Sequence, residues 1–260
     1  IGMASALAIL GSSDIKHGPL EVLLTIDEEA GMTGAFGVEP GMLQAEILIN
    51  TDSEQEGEIY MGCAGGVDAE FTVPAQWQAS ASGVTAFTLS LTGLKGGHSG
   101  VNIHLGRGNA NKLLARFLAD HVAVLELAIA SFSGGSLRNA IPRESVAKVI
   151  VAGMYDEAFV FDMQEIINDI KTEFKTTEPN LTIEIVKSDL PAKVMDLGVQ
   201  EGLLRSIYAA HNGVYRMSAD MADLVETSNN IARVVVKDGQ ISIQNLTRSS
   251  VESSKMDFAN

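Results

Sequence analysis

The stretch that most constrains this chain is a short apolar run that ends abruptly in acids. Residues 22–26 are largely apolar, and Asp27, Glu28 and Glu29 follow them directly, just before Gly31. An apolar run of this length is typical of a buried strand, so the acids are expected at the carboxyl end of that strand. In open α/β sheets this edge is where ligands bind.

The same pattern recurs in a second predicted strand, residues 46–50, where the apolar residues 47–49 run into Asp52. Carboxylates that share one crevice repel each other unless protons or cations are present, so Glu28, Glu29 and Asp52 predict a metal site. Adjacent side chains on an extended segment point in opposite directions. One glutamate can therefore bind metal while the other acts as a general base. A solvated turn is the alternative interpretation, and the pattern leaves both open.

Composition and charge exclude several classes of protein. The 260 residues suit one large or two ordinary domains, and 46% hydrophobic content is enough for a core. The net charge of −15 argues against a nucleic-acid or anionic-membrane partner and fits a cytoplasmic enzyme. The single cysteine, Cys63, excludes an internal disulfide framework and is predicted to be a small buried residue.

From about residue 67 the sequence becomes alternating and rich in β-forming residues, which predicts a domain boundary near residues 66–70. The predicted fold class is α/β. Residues 1–66 are expected to form a partial domain with helices and a mostly parallel sheet, and residues 67–260 an α+β domain with an antiparallel sheet. Residues 85–91 alternate with period two, and residues 156–174 are expected to be helical. The helical pattern of residues 1–10 has no N-cap, and residues 256–260 end the sequence without a closing element, which together predict a chain cut within structure at both ends.

A glycine-rich loop surrounds His98, with glycines at 93, 96, 97 and 100. Such a loop lets backbone approach a ligand, and a histidine there can donate a hydrogen bond to a developing oxyanion. A hairpin with an incidental histidine is the alternative. Asn139 and Arg248 are candidate substrate contacts, since an arginine can bind a carboxylate in bidentate fashion, and structural polar residues are again the alternative.

Four motifs, at residues 25–35, 49–54, 93–100 and 138–142, together resemble a known family. This is the co-catalytic zinc metallopeptidase family of carboxypeptidase G, the aminoacylases, tripeptidase T and the aminoacyl-histidine dipeptidases. The chain is most similar to the last branch, also called Xaa-His dipeptidase, peptidase D or cytosolic beta-alanyl-histidine dipeptidase. The resemblance covers nearly the whole chain.

The resemblance implies a role for each matching residue. Glu28 matches the general base, Glu29 a ligand of one zinc ion and Asp52 a ligand of the other, with cobalt or manganese as possible substitutes. His98 matches the histidine that polarises the scissile carbonyl. The implied reaction is attack of a metal-activated hydroxide on the amide of Xaa-His dipeptides such as carnosine.

The resemblance also implies a domain plan. Residues 1–66 correspond to part of the catalytic domain and residues 67–260 to a lid or dimerisation domain, so a homodimer is possible. Asn139 and Arg248 match lid positions that hold the carboxylate end of the substrate. The family's metal-bridging aspartate and two metal histidines match nothing in this chain, which implies that the chain alone is inactive. An aminoacylase or carboxypeptidase, or a non-catalytic binding module, remains as an alternative.

Overall fold

The computed structural model describes residues 1–28, 31–52, 57–60, 62–119, 125–237 and 239–260. These residues divide into two compact units, Ile1–Cys63 and Ala64–Asn260, and each unit is described by itself. Among the residues described, no helix combines the length and the hydropathy that crossing a membrane requires.

The first unit contains helix α1 (Gly2–Gly11), which the sequence predicts, and the short helix α2 (Thr33–Phe36). The parallel strands expected at residues 22–26 and 46–50 are not formed in the described part of this unit. Their apolar side chains are exposed, with Leu48 at 83% and Ile49 at 79%. A strand needs a hydrogen-bonded neighbour and a covered face, and a unit of this size supplies neither for two apolar runs.

The second unit is built mainly from strands. Its strands are β1 (Gly65–Pro74), β2 (Trp77–Ala79), β3 (Val84–Thr92), β4 (Gly97–His98), β5 (Ala128–Gly134), β6 (Ala140–Ile141), β7 (Ser145–Ala152), β8 (Thr182–Ser188), β9 (Lys193–Met195), β10 (Gly213–Met217), β11 (Val225–Lys237) and β12 (Gln240–Ser249). Its helices are α3 (Ala110–Ala119), α4 (Asp156–Phe174), α5 (Leu197–Ala209) and α6 (Glu252–Ala259). The boundary expected after residue 66 therefore falls inside β1.

The main sheet has eight strands in the order β1-β12-β11-β5-β7-β3-β8, with β10 paired to β11. Every pairing in it is antiparallel, as the alternation at residues 85–91 predicts. Two small pairs lie outside this sheet, β2 with β9 and β4 with β6. The second pair carries His98.

The core of this unit lies between one face of the sheet and the helices. In β3 the residues Phe87, Leu89 and Leu91 are buried, as period two requires. Helix α4 spans the predicted residues and buries side chains spaced by three or four: Phe159, Met163, Ile167 and Ile170. The rings of Phe87 and Phe159 lie 4.9 Å apart between centroids. Sheet and helix therefore share one hydrophobic cluster.

An ion pair between α3 and α4 makes stability depend on pH. Arg116 donates to both carboxylate oxygens of Glu173, at 2.7 and 2.8 Å. These hydrogen bonds lower the pKa of Glu173 below its ordinary 4.5, burial opposes the shift, and the Arg116 charge adds to it. Because the folded pKa is depressed, the contribution is complete above about pH 4.5 and is lost as the pH falls through the folded pKa.

We expect the Glu173→Gln substitution to remove this part of the acid sensitivity. The pair is partly exposed, so its contribution at neutral pH is only about 0.2–1 kcal/mol. Urea unfolding at about pH 6 and about pH 3.5 measures the difference in the free energy of unfolding between the two conditions. Glu165, exposed on the same helix, provides the matched control Glu165→Gln. An unchanged difference in the Glu173 variant would contradict this assignment.

Candidate functional site

Two of the predicted acids line one cavity of the first unit. Glu28 and Asp52 both face a cavity of about 520 Å³, whose other lining residues are Ile1, Gly2, Met3, Leu23, Leu24, Thr25, Met32, Ala35, Asn50 and Thr51. The backbone N–H of Asp52 donates to Asn50 Oδ1 at 2.9 Å, which fixes the loop that carries this acid. The chain thus brings together two acids that are 24 positions apart in the sequence.

The neighbouring acid, Asp27, has a structural function. It adopts a left-handed backbone conformation with φ of 63°, which reverses the chain directly after the apolar run. Its carboxylate accepts a hydrogen bond from Thr33 Oγ1 at 2.8 Å, and its carbonyl accepts one from the backbone N–H of Met32. Asp27 therefore shapes the turn, while Glu28 is directed to the cavity.

The carboxylates of Glu28 and Asp52 supply the kind of oxygen ligand that a divalent metal takes. Within the described ranges, no group of three or more His, Cys, Asp or Glu side chains lies close enough to hold a metal ion. Glu29, the third predicted acid, lies outside the described residues. A zinc site uses about three or four protein ligands, so these two acids fit part of a metal site.

In the second unit, the predicted histidine lies on a short strand pair. His98 in β4 pairs with Ala140 in β6, and the backbone N–H of Ser99 donates to the carbonyl of Asn139 at 2.8 Å. Asn230 donates through Nδ2 to the carbonyl of Ala140 at 2.8 Å and so connects β6 to the main sheet. The structure therefore brings together His98 and Asn139, which lie 41 positions apart in the sequence.

The hydrogen bonds of His98 define its tautomer. The backbone N–H groups of Gly100 and Val101 both point at His98 Nδ1, at 3.1 and 3.0 Å. A nitrogen that accepts two N–H groups carries no proton, so the ring proton of the neutral imidazole is on Nε2. His98 is thereby arranged as a hydrogen-bond donor through Nε2.

Gly100 separates His98 from Arg248 in β12. A methyl group at Gly100 would lie 3.1 Å from His98 Cε1 and 3.3 Å from Arg248 Nε, so both side chains contact this residue. A side chain at position 100 would push against both. The three predicted residues of this unit therefore lie close together, with Arg248 beside the histidine and Asn139 next to the strand pair.

The guanidinium of Arg248 is incompletely hydrogen-bonded. Its Nε is buried and, among the described residues, has no hydrogen-bond partner. Burial lowers the pKa of Arg248, the charge of Arg138 lowers it further, and Asp68 opposes both. Asp68 and Arg138 form an ion pair at 3.1 Å. The guanidinium stays charged, so a carboxylate that reaches its terminal nitrogens would form charge-assisted hydrogen bonds with it.

Several residues that support this site were not identified from the sequence. Asn102 Oδ1 accepts from the backbone N–H of His98 at 2.9 Å, and Arg107 Nη1 donates to the carbonyl of Gly96. Glu178 accepts two backbone N–H groups of the same loop. The asparagine four residues after His98 is a signal that the sequence offered, whereas nothing near Glu178 marks it.

The sequence prediction for Cys63 is wrong. Cys63, expected to be buried, is exposed, because it is the last residue of the first unit and belongs to no helix or strand.

The chain is similar to known peptidases. Residues 89–182 match the family described as peptidase dimerisation domain, of M20 peptidases. The cytosol non-specific dipeptidase of Escherichia coli (strain K12) is 48% identical, over 98% of this chain and 53% of that protein. The crystal structure of aminoacylhistidine dipeptidase from Vibrio alginolyticus is 46% identical and superposes with a TM-score of 0.83, over 98% of this chain and 52% of that chain.

These matches confirm the resemblance to the aminoacyl-histidine dipeptidase branch and the mixed α/β fold with an antiparallel sheet. The chain spans about half the length of each relative, 53% of the first and 52% of the second.

Proposed function

Because this chain is a homologue of the two dipeptidases and carries a peptidase dimerisation domain, we propose that the whole protein is a metal-dependent dipeptidase. Its proposed substrates are dipeptides that end in histidine, such as carnosine. Similarity to the non-specific dipeptidase of Escherichia coli favours a wider range of dipeptides that includes these substrates.

The observation that carries this proposal is the pairing of a histidine donor with an arginine around Gly100. A dipeptide has an amide carbonyl that must be polarised and a free carboxylate close to it. His98 carries its ring proton on Nε2, and Arg248 places a charged guanidinium on the other side of Gly100. We assign the carbonyl to His98 and the carboxylate to Arg248, with Asn139 as a further contact to the carboxylate end.

The acids of the first unit supply the remaining chemistry. The carboxylate of Glu28 accepts a proton from the attacking water and passes it to the amine nitrogen of the leaving amino acid. The proposed cofactor is a pair of zinc ions, with cobalt or manganese as alternatives, which would supply Lewis acidity and activate water when bound. Asp52 and Glu29 would each hold one of the ions.

A direct test is the hydrolysis of carnosine by the whole protein with added zinc. We expect turnover that is lost with a chelator and restored with zinc. Zinc binding without cleavage of any Xaa-His dipeptide would move the substrate to an acyl-amino acid or a C-terminal residue. Absence of both metal binding and hydrolysis would favour a binding or dimerisation module, the function that the match at residues 89–182 alone supports.

A substitution at Arg248 tests the assignment of the substrate carboxylate. We expect Arg248→Lys to raise the KM for carnosine by about 10-fold to 10²-fold with little change in kcat, because lysine lacks the bidentate fork. Arg205, exposed on α5 and paired with Glu201, provides the control Arg205→Lys. With a dipeptide amide, which has no carboxylate, wild type and Arg248→Lys should have the same KM. A difference that persists with the amide would contradict the assignment.

Two further properties are proposed from the comparisons. The match to a dimerisation domain supports a homodimer, which light scattering coupled to size-exclusion chromatography would detect. Similarity to the cytosol dipeptidase of Escherichia coli supports a location in the cytosol.

A further inference from the structure

Side-chain hydrogen bonds hold the loop that carries His98, residues 95–108, in three nested positions. The innermost joins the backbone N–H of His98 to Asn102 Oδ1 at 2.9 Å. The next joins Arg107 Nη1 to the carbonyl of Gly96. Both lie within the loop, so they define its shape and do not attach it to the rest of the unit.

The hydrogen bonds at the two ends of the loop are made by a residue outside it, Glu178. Glu178 follows α4, and its Oε2 accepts from the backbone N–H of Lys95 at 2.8 Å, while its Oε1 accepts from the backbone N–H of Gly108 at 2.9 Å. One carboxylate therefore binds both ends of the segment 95–108. On the other side, the pairing of β4 with β6 holds the same loop. His98 is fixed between these two attachments.

Glu178 is a buried carboxylate, with only 2% of the residue exposed. Among the described residues it forms no ion pair with lysine, arginine or histidine, so backbone N–H groups stabilise its charge. A carboxylate offers an acceptor oxygen to each N–H, which an amide cannot do. This geometry explains why a glutamate, and not a glutamine, occupies the position.

We propose that Glu178 is a positioning residue that attaches the His98 loop to the turn after α4 and so fixes where Nε2 of His98 lies. The catalytic consequence rests on the function proposed above, whereas the attachment of the loop does not. In Glu178→Gln the amide NH₂ faces one backbone N–H, so one hydrogen bond is lost and the loop can move as a unit. The loop's own hydrogen bonds remain intact.

Gln200 offers a matched control in the same unit. It is fully buried, accepts from the backbone N–H of Ile129 at 2.9 Å and donates to the carbonyl of Leu127 at 2.7 Å. Gln200→Met also removes buried hydrogen bonds, but at β5 and not at the histidine loop.

Hydrogen–deuterium exchange read by mass spectrometry tests the attachment without any substrate. In the whole protein, Glu178→Gln is expected to speed exchange in a peptide covering residues 93–108 by about tenfold and to leave a peptide covering 128–134 unchanged. Gln200→Met should speed exchange in the peptide covering residues 128–134 and leave the peptide covering 93–108 unchanged. Equal changes in both peptides for both variants, or no change at 93–108 in Glu178→Gln, would overturn the proposal.

The catalytic consequence has a separate readout. A displaced His98 is expected to lower kcat for carnosine by as much as about 10²-fold in Glu178→Gln while KM changes little, and Gln200→Met should keep kcat. If no variant or wild type hydrolyses carnosine, the function fails but the exchange result still decides the attachment. If Glu178→Gln does not fold, Glu178→Asp replaces it, since its shorter carboxylate cannot reach both N–H groups, and the same outcomes apply.

Discussion

The Glu28→Gln variant of the whole protein is expected to lose about 10²–10⁴-fold in kcat for carnosine, the usual contribution of a general base. Glutamine keeps the size of the side chain and cannot accept the proton of the attacking water. Zinc content and the melting temperature should stay at wild-type values, because Glu28 is exposed and is proposed to contact water and not metal. Stopped assays of carnosine cleavage at saturating substrate would measure the loss.

Asp27 supplies the matched control for this prediction. Asp27→Asn makes the same change in charge at the adjacent position, and asparagine tolerates the left-handed backbone with φ of 63°. Asp27 accepts from Thr33 and does not line the cavity of Glu28 and Asp52, so Asp27→Asn should leave kcat nearly unchanged. Similar losses in both variants would mean that the local charge matters and that Glu28 is not the base.

The His98→Ala variant is expected to lose about 10²–10³-fold in kcat, as removal of an oxyanion donor typically does. The donor acts on charge that develops only in the transition state, so KM should change little. His104, exposed six residues further along, provides the control His104→Ala, for which we expect wild-type kinetics.

A second outcome would separate catalysis from folding in the His98 variant. The side chain of His98 accepts from the backbone N–H groups of Gly100 and Val101, so its removal also loosens the loop. Adding imidazole to His98→Ala should restore part of kcat if the ring acts as a donor. A loss of kcat without rescue, together with a lowered melting temperature, would assign His98 to loop structure alone.

Much of the second unit could be predicted because its signals are local. The alternation at residues 85–91 predicted β3, and the helix predicted over residues 156–174 is α4, whose buried side chains are spaced by three or four. These periods follow from the geometry of one strand or one helix, which every residue in it shares. Antiparallel pairing then followed from a sheet with one covered face.

The first unit shows where local signals fail. The runs at residues 22–26 and 46–50 have strand composition, yet the described chain forms no strand there and leaves the side chains of Leu48 and Ile49 exposed. The composition of a segment indicates whether its side chains can be buried. A strand also needs a neighbouring strand whose backbone N–H and C=O groups are free to pair with it. The prediction of clustered acids survives in part, because Glu28 and Asp52 do share a cavity.

By itself the sequence determined the periodic elements, the glycine-rich surroundings of His98 and the resemblance to the dipeptidase branch, because these are properties of residues close together in the chain. Only the tertiary structure decided that Gly100 separates His98 from Arg248 and that Glu178 binds both ends of the histidine loop. The partners of Glu178 are 83 and 70 positions away in the sequence. Packing of helices on the sheet selects such neighbours, and no local period encodes them.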